Sequence, residues 1–437
     1  MSRDTKAYVN WFRNSAPYIH ANRNKTMVLM LGGEAAQHGH FNDIIHDIAL
    51  LHSLGVKLVI VYGSRPQIDQ RLQAAGIKSE FHRDLRITDQ TTLDCVKAAT
   101  GSLRAEIEAL LSMGLANSPM HGARLRIASG NLISAKPVGI LDGVDFHFTG
   151  EVRRVDCEGI RHQLNQGSIV LLPPLGYSRT GEVFNLSSED LATEVAIALQ
   201  ADKLLLMYGE QGVTDSDGKL IRELNTDETQ QLILDGRQCT EIQRHLKAAY
   251  RACHAGIQRT HLVSYAEDGA LLSELYSRDG SGTLVTVQSY ERIRQAQPSD
   301  AAGIIELIRP LEEKGVLVRR SRERLESEIE RFTVIERDET VIGCAALYPF
   351  EDDQSAELAC VVVHPDYQRA NRGEQLLDQV VVQAKALQLK RLLVLTTQTA
   401  HWFLERGFVR SSVDALPERK RSLYNWQRNS SVFERAL

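Results

Sequence analysis

The sequence predicts an α/β protein of two domains: a large three-layer αβα domain with a mainly parallel sheet, then a smaller mixed α/β domain. Three observations predict it. A chain of 437 residues is too long for one ordinary core. Apolar runs alternate with amphipathic helices from residue 26 to about 283, the pattern of a parallel sheet covered on both faces. After Pro298 the alternation gives way to helices followed by a run of strands.

Taken in order, residues 4–20 set Tyr8, Trp11, Phe12, Ser15 and Ile19 at helical spacing, with Pro17 near the end, and predict an amphipathic helix ahead of the first strand. Its aromatic stripe needs a partner, either its own domain or another subunit. TMVLMLGGEA reads as an apolar strand ending at Gly32–Gly33, followed by the helix FNDIIHDIALLHSLG and the strand KLVIVYGSRP. The pattern recurs at GSIVLLPPLG, EDLATEVAIALQADKLLLMYGEQGV and RHLKAAYRACHAGIQRTHLVSY. The first domain is placed at 1–283, a linker at 284–296 and the second domain at 297–437. In the second domain SDAAGIIELIRPLEEKG and RERLESEIERF read as helices, the latter a solvated face with an i,i+4 pair between Arg322 and Glu326. TVIERDE, VIGCAALYPF and SAELACVVVHP read as strands.

Composition narrows the function. Hydrophobic residues at 43% build sizeable cores, and a formal charge of −5 points to neither nucleic acid nor membrane, leaving small molecules as the expected partners. The six cysteines contain no C-x-x-C pair, which argues against a zinc cage or disulfide framework, and no metal is expected. The first residues lack the apolar core of a signal peptide and no run of eighteen apolar residues occurs, so a cytoplasmic protein is expected.

The segment VVVHPDYQRANRGEQLL, residues 361–377, turns from a buried strand into a helix. Unsatisfied N–H groups at a helix N-terminus attract anions. Gly373 would let a phosphate approach the backbone, with Arg369 and Arg372 as counter-charge. On these residues alone the corner reads equally as an ordinary polar cap.

Its setting decides more. The order of hairpin strands, V-x-V-H-P strand, Q-x-x-x-x-G turn, helix, RLLVLTT strand and HWFLERGF resembles the GNAT acetyltransferase superfamily. The resemblance implies that acetyl-CoA is held at this corner, by Cys360, Val361 and Val363 of the strand and Gln368, Arg369, Asn371, Arg372, Gly373 and Glu374 of the turn. Asn371 stands where the first glycine of the superfamily turn is usual, and asparagine tolerates left-handed backbone. Backbone N–H groups near Cys360 and Val361 would hold the acetyl oxygen as charge develops. Glu357 falls where such enzymes hold a carboxylate, and an acceptor ammonium must lose its proton before it can attack a thioester. His364, before Pro365, is assigned to the turn. The tyrosine that many relatives use to protonate the departing thiolate falls at Phe403, which leaves Thr396 first and Tyr424 second as candidate acids. Each also reads as a plain strand-end hydroxyl or packed aromatic. An acceptor with carboxylates needs guanidinium forks, for which Arg319, Arg320 and Arg428 are candidates.

In the first domain the strand–GG–helix start, VYGSRP, FNLSSEDLATEVA, DKLLLMYGEQGV and HLVSYAEDGALLSELYSRDGSGTLV resemble the amino-acid kinase family, most closely the N-acetylglutamate kinases. Yet Met30 stands where those kinases carry a strand lysine. His245 stands where they carry a later one, with Lys247 two positions away, and Tyr62-Gly63-Ser64-Arg65-Pro66 replaces their H-G-G-G-P turn. Phosphoryl transfer needs such cations, so little or no kinase activity is expected.

Together, a kinase-like domain without its lysines, a leading aromatic helix and a GNAT domain resemble the bacterial N-acetylglutamate synthases, over nearly the whole chain. This resemblance implies acetyl transfer from acetyl-CoA to the α-amine of L-glutamate, the first step of arginine biosynthesis, inside a homo-oligomer, a hexamer by family. It also implies feedback inhibition by L-arginine, with Tyr18, Lys203, His261, Glu274 and Gly280 at the positions of the family's arginine pocket. Two alternatives stay open: a phosphotransferase of the N-acetylglutamate kinase type, and a GNAT enzyme for another amine.

Overall fold

Residues 27–31 and 58–62 are apolar at every position, so strands made from them must be covered on both faces. The computed structural model shows both faces covered. It describes residues 3–113, 121–122, 124–277, 279–287, 291–337, 340–368, 371–422, 424–426 and 430–437, which divide into two units, Met1–Gln288 and Ser289–Leu437.

The first unit is built on an eight-stranded sheet in the order Glu223–Asn225, Thr283–Thr286, Arg259–Ser264, Lys203–Tyr208, Thr26–Leu31, Lys57–Tyr62, Ser168–Leu172, Arg126–Ala128. Every neighbouring pair is parallel except Arg259–Ser264 with Thr283–Thr286. Alternation sorts the side chains. Val28 and Met30 pack with the helices Cys157–Asn165, Ser188–Leu199 and Thr240–His254. Met27, Leu29 and Leu31 pack with Phe41–Ser53, Gln90–Leu111 and Ala270–Tyr276 on the other face. Each such buried side chain contributes about 1.5–3 kcal/mol. A four-stranded sheet, Val183–Asn185, Leu175–Tyr177, Ile133–Pro137 and Gly150–Val155, lies beside it in the same unit.

The leading helix spans Arg3–Asn22 and packs against the Ala270–Tyr276 helix, where Asn22 Nδ2 donates to the Leu275 carbonyl at 3.0 Å. Trp11 and Phe12 are 48% and 56% exposed. Among the described residues, no helix is long and apolar enough to cross a membrane.

Segment 284–296 is not a linker. Leu284 to Thr286 belong to the last strand of the first unit, paired with Arg259 to His261, and Glu291–Gln295 is an edge strand of the second unit, paired with Phe332–Arg337. One strand is short and the other is polar, ERIRQ, so neither carries the apolar run that marks its longer neighbours.

The second unit is a seven-stranded sheet in the order Glu291–Gln295, Phe332–Arg337, Thr340–Phe350, Ser355–Val363, Arg391–Thr396, Ser431–Ala436, Val409–Ser411. All neighbours are antiparallel except Ser355–Val363 with Arg391–Thr396. That parallel pair is joined only at Ser355↔Arg391, Ala356↔Leu392 and Glu357↔Leu393, after which the strands part. The helix Arg372–Ala386 covers one face through Leu376, Leu377, Val380 and Ala384, and Ala301–Glu313 covers the other through Ile304, Leu307 and Ile308.

Candidate functional site

The parting of the two central strands coincides with a change of face. Ala356 and Leu358 pack on the side of the Arg372–Ala386 helix, whereas Cys360 and Val362 pack on the opposite side. An extra residue opposite Ala345 produces the switch, because the register shifts between Cys344 and Ala346. Cys360 takes φ 50° there, a left-handed conformation that costs a non-glycine residue about 1–3 kcal/mol. The bulge puts Glu357 and Cys360 on one face beside the notch, with Val361 and Val363 turned back toward the other core. Such a notch exposes strand N–H groups where an acyl oxygen can sit.

Glu357 is buried to 13% exposure and pairs with Lys420 Nζ at 2.6 Å. Tyr348 lies directly opposite it on the neighbouring strand. The Tyr348 hydroxyl donates to Glu328 at 2.7 Å, and burial, with that hydrogen bond, pushes its pKa to about 12. Of the arginine forks, Arg320 reaches this face and Arg319 is exposed. The Arg320 guanidinium lies by Cys360 and Tyr348, and its Nε is buried without a partner. Burial works against its charge, but Cys360, Tyr348 and Glu328 favour it and raise its pKa. Burial pushes the Cys360 thiol to about 11, so it rests protonated and is a poor nucleophile. Arg428 lies outside the described residues.

At the turn, Asn371 is the N-cap of the Arg372–Ala386 helix with φ 50° and ψ 17°, the left-handed geometry asparagine tolerates. Gln368 Nε2 donates to the Val363 carbonyl at 3.3 Å, tying the turn to the strand end. One expectation needs correction. Arg372 does not point its guanidinium at an anion site: Nε and Nη2 grip Glu291 at 2.8 and 2.5 Å, and Nη1 donates to the Tyr367 carbonyl at 2.8 Å. Burial alone would raise Glu291, but Arg372 and Arg337 hold its pKa below the usual range. Gly373 also packs closely, since a Cβ there would sit 3.1 Å from Trp402 Cζ2 and the ring would have to shift by a few tenths of an ångström. Glu374, in the first helical turn, faces Arg406 at 3.6 Å. Arg369 lies outside the described residues.

The two candidate acids differ. Thr396 Oγ1, at the end of its strand, accepts the N–H groups of Gln398 and Thr399 at 3.3 and 3.1 Å and lies 2.9 Å from the Thr399 hydroxyl. Tyr424 is buried and donates its proton to the Ser430 carbonyl at 2.7 Å. Phe403 is core, edge-on to Trp402 and Phe408.

In the first unit, His261, Glu274 and Gly280 come together. Glu274 Oε1 receives His261 Nδ1 at 2.6 Å, and Oε2 accepts the N–H groups of Ser281 and Gly282 at 2.7 and 2.8 Å. Burial works against the Glu274 charge, but the His261 bond and the backbone donors hold its pKa at about 2, while burial lowers His261. Gly280 takes φ 63°, and a Cβ would meet Glu274 Oε2 at 2.5 Å. The Lys203 charge acts on His261, and Tyr18 packs against the core that includes Leu275. Met30 and His245 line a cleft with Gly32 and Gly33, and both are buried.

Lys420, Tyr348 and Glu328 were invisible as site residues. Lys420 sits in the charged run ERKR, and nothing in its spacing links it to Glu357.

Residues 25–264 match the Amino acid kinase family, and residues 301–408 match the Acetyltransferase (GNAT) family. The chain is 56% identical over 432 residues to the Amino-acid acetyltransferase of Pseudomonas paraeruginosa, covering 98% of this chain and 99% of that one. The Azotobacter vinelandii protein of the same name is 56% identical over 431 residues, with the same coverage. The crystal structure of N-acetylglutamate synthase from Neisseria gonorrhoeae complexed with coenzyme A and L-arginine superposes with a TM-score of 0.88 at 37% identity, over 98% of this chain and 99% of that one. The same synthase complexed with coenzyme A and N-acetyl-glutamate gives a TM-score of 0.63 at 38% identity and the same coverage.

Proposed function

This chain belongs to the amino-acid acetyltransferases, and we propose that it moves the acetyl group of acetyl-CoA onto the α-amine of L-glutamate, as the feedback-regulated entry to arginine biosynthesis. The observation that carries the reading is the bulged notch, with Glu357 and Arg320 on the same face of the strand that parts from its neighbour. The glutamate complement comes from the gonococcal synthase, which was crystallised with coenzyme A and N-acetyl-glutamate.

Arg320 takes a substrate carboxylate, which supplies the acceptor its buried Nε lacks. Glu357 accepts the ammonium proton, directly or through one water, and the freed amine attacks the thioester carbon. Lys420, 2.6 Å from Glu357, keeps the carboxylate oriented until the ammonium arrives. The developing oxyanion lies at the backbone N–H groups near Cys360 and Val361. Acetyl-CoA, when bound, would supply the activated acyl group and leave as coenzyme A. The helix N-terminus at Asn371–Gly373 would hold its pyrophosphate, and the Arg372 side chain, tied to Glu291 and the Tyr367 carbonyl, braces that corner. Thr396 relays a proton to the thiolate, taking one from water as it gives its own, so that no alkoxide is left behind. Either hydroxyl of the Thr396–Thr399 pair can be the donor, so Thr396 can turn its proton outward, whereas Tyr424 donates to the Ser430 carbonyl. The protonated Cys360 and the single notch favour direct transfer without an acyl-enzyme.

L-Arginine binds at His261, Glu274 and Gly280, with Lys203 and Tyr18 nearby. A ligand guanidinium there displaces His261 from Glu274 Oε1 or adds to it. Inhibition then requires that arginine bind two states of the protein unequally. The reading includes a cytoplasmic homo-oligomer, six copies by family, with the exposed Trp11 and Phe12 at its contacts. Mass spectrometry of the product tests the reaction: acetyl on the α-nitrogen of glutamate is expected, and acetyl on another amine, or phosphate on N-acetylglutamate, would overturn it.

A further inference from the structure

Arg320 is held in place without being neutralised. It precedes Ser321, whose hydroxyl caps the short helix Arg322–Ser327 by accepting the Arg324 N–H at 3.2 Å, and Glu328 follows the same helix. The Arg320 backbone N–H donates to Glu312 Oε1 at 2.9 Å and its Nη1 to the Val318 carbonyl at 3.2 Å, while the buried Nε has no partner. Glu328, whose charge favours that of Arg320, makes its own ion pair with Arg324 Nε at 3.1 Å.

Tyr348 stands between the two. Its hydroxyl donates to Glu328 Oε2 at 2.7 Å, and the same oxygen lies beside the Arg320 guanidinium with lone pairs left to accept from it. Burial and the bond to Glu328 keep the phenol protonated, which fixes the direction of donation. Burial works against the charge of Glu328, but Tyr348, Arg324 and Arg331 hold its pKa below the usual range. Arg331 lies over the Tyr348 ring, 5.1 Å from its centroid, and the backbone of Tyr348 is paired with that of Glu357. A carboxylate bound directly to Arg320 would fill its fork. With tyrosine as spacer, Glu328 supports the guanidinium charge at one remove and the Nε edge stays open to a substrate carboxylate.

We propose that Tyr348 and Glu328 are positioning residues for the acceptor: the chain Glu328–Tyr348–Arg320 aims the guanidinium and keeps its Nε edge open until a carboxylate-bearing amine arrives. The role rests on Arg320 holding the acceptor carboxylate, as proposed for acetyl transfer. Neither Tyr348 nor Glu328 touches the substrate, and both act on glutamate affinity through Arg320.

Steady-state kinetics of the full-length chain, with glutamate and acetyl-CoA varied in turn, test it. Tyr348→Phe keeps the ring beneath Arg331 and should raise the KM for glutamate about tenfold, while kcat and the KM for acetyl-CoA each move less than about threefold. Glu328→Gln, which leaves the tyrosine an acceptor but removes the charge, should raise the glutamate KM by less. Arg320→Ala should raise it more than either, and adding Tyr348→Phe to Arg320→Ala should change kcat/KM for glutamate by less than about twofold. A glutamate KM unmoved by Arg320→Ala would sink the reading of Arg320 and this role with it. A glutamate KM raised by Arg320→Ala but not by Tyr348→Phe, a fall in that KM in Glu328→Gln, or an undiminished effect of Tyr348→Phe in the Arg320→Ala background would overturn the positioning role alone. So would a loss of kcat together with a rise in both KM values in Tyr348→Phe, the mark of a purely structural residue.

Discussion

Replacing Arg372 by alanine separates a structural role for this side chain from a ligand-binding one. Its guanidinium and that of Arg337, at 2.9 Å, hold the two Glu291 oxygens, with Arg372 13% and Glu291 14% exposed. Removing one partner of a buried pair costs about 3–5 kcal/mol. Arg337 stays behind and moves the cost to the lower end, while loss of the bond to the Tyr367 carbonyl adds about 1 kcal/mol. Together these give about 3–4 kcal/mol, to be read from urea unfolding of the second unit through Trp402 and Trp426 fluorescence. Loss of a charge-assisted phosphate contact would instead cost about 1.5–3 kcal/mol in binding, or roughly 10- to 150-fold in the KM for acetyl-CoA. We expect the unfolding midpoint to fall and KM to move less than about threefold at a temperature where the variant is folded. An unchanged midpoint with KM raised tenfold would refute the assignment and return Arg372 to the pyrophosphate.

Glu357→Gln should lower kcat by about 10²–10⁴-fold while coenzyme A binding, followed by equilibrium dialysis, stays within a few-fold. Arg320→Lys should raise the KM for glutamate by roughly tenfold or more, because a point charge cannot reproduce the fork, whereas Arg319→Ala, on an exposed side chain, should leave it nearly unchanged. Glu274 is held at about 2 against an ordinary 4.5, so its contribution is fully present above about pH 4.5 and disappears as pH falls through about 2. That drop corresponds to about 3 kcal/mol. Glu274→Gln should therefore be less stable than the parent by about this amount at pH 7, the gap closing between about pH 5 and pH 2 in acid unfolding followed by circular dichroism, and it should lose inhibition by arginine.

What could be read in the sequence was set by local rules, and what could not was set by long-range pairing. The strands at residues 27–31 and 58–62 declare themselves because burial on both faces demands continuous apolar side chains. Asn371 could be read as a left-handed cap because few other residues tolerate that conformation. By contrast the bulge at Cys360 lies in ELACVVV, which has no glycine to mark it, and it appears only through the register with the neighbouring strand. Arg372 looked free for a phosphate because its partner Glu291 lies 81 positions earlier, in a stretch with no apolar strand pattern. Lys420 escaped for the same reason, since it meets Glu357 only after the sheet has formed. His261 and Glu274, 13 positions apart, were placed by family pattern, and their hydrogen bond accounts physically for why those residue types suit one site.

The most direct measurement is the initial rate of free-thiol release from acetyl-CoA by the full-length protein, with each amino acid supplied in turn. The account predicts release that depends on L-glutamate, with intersecting double-reciprocal lines for the two substrates and a fall in rate when L-arginine is added. Release independent of glutamate, or parallel lines from an acetylated enzyme, would contradict it.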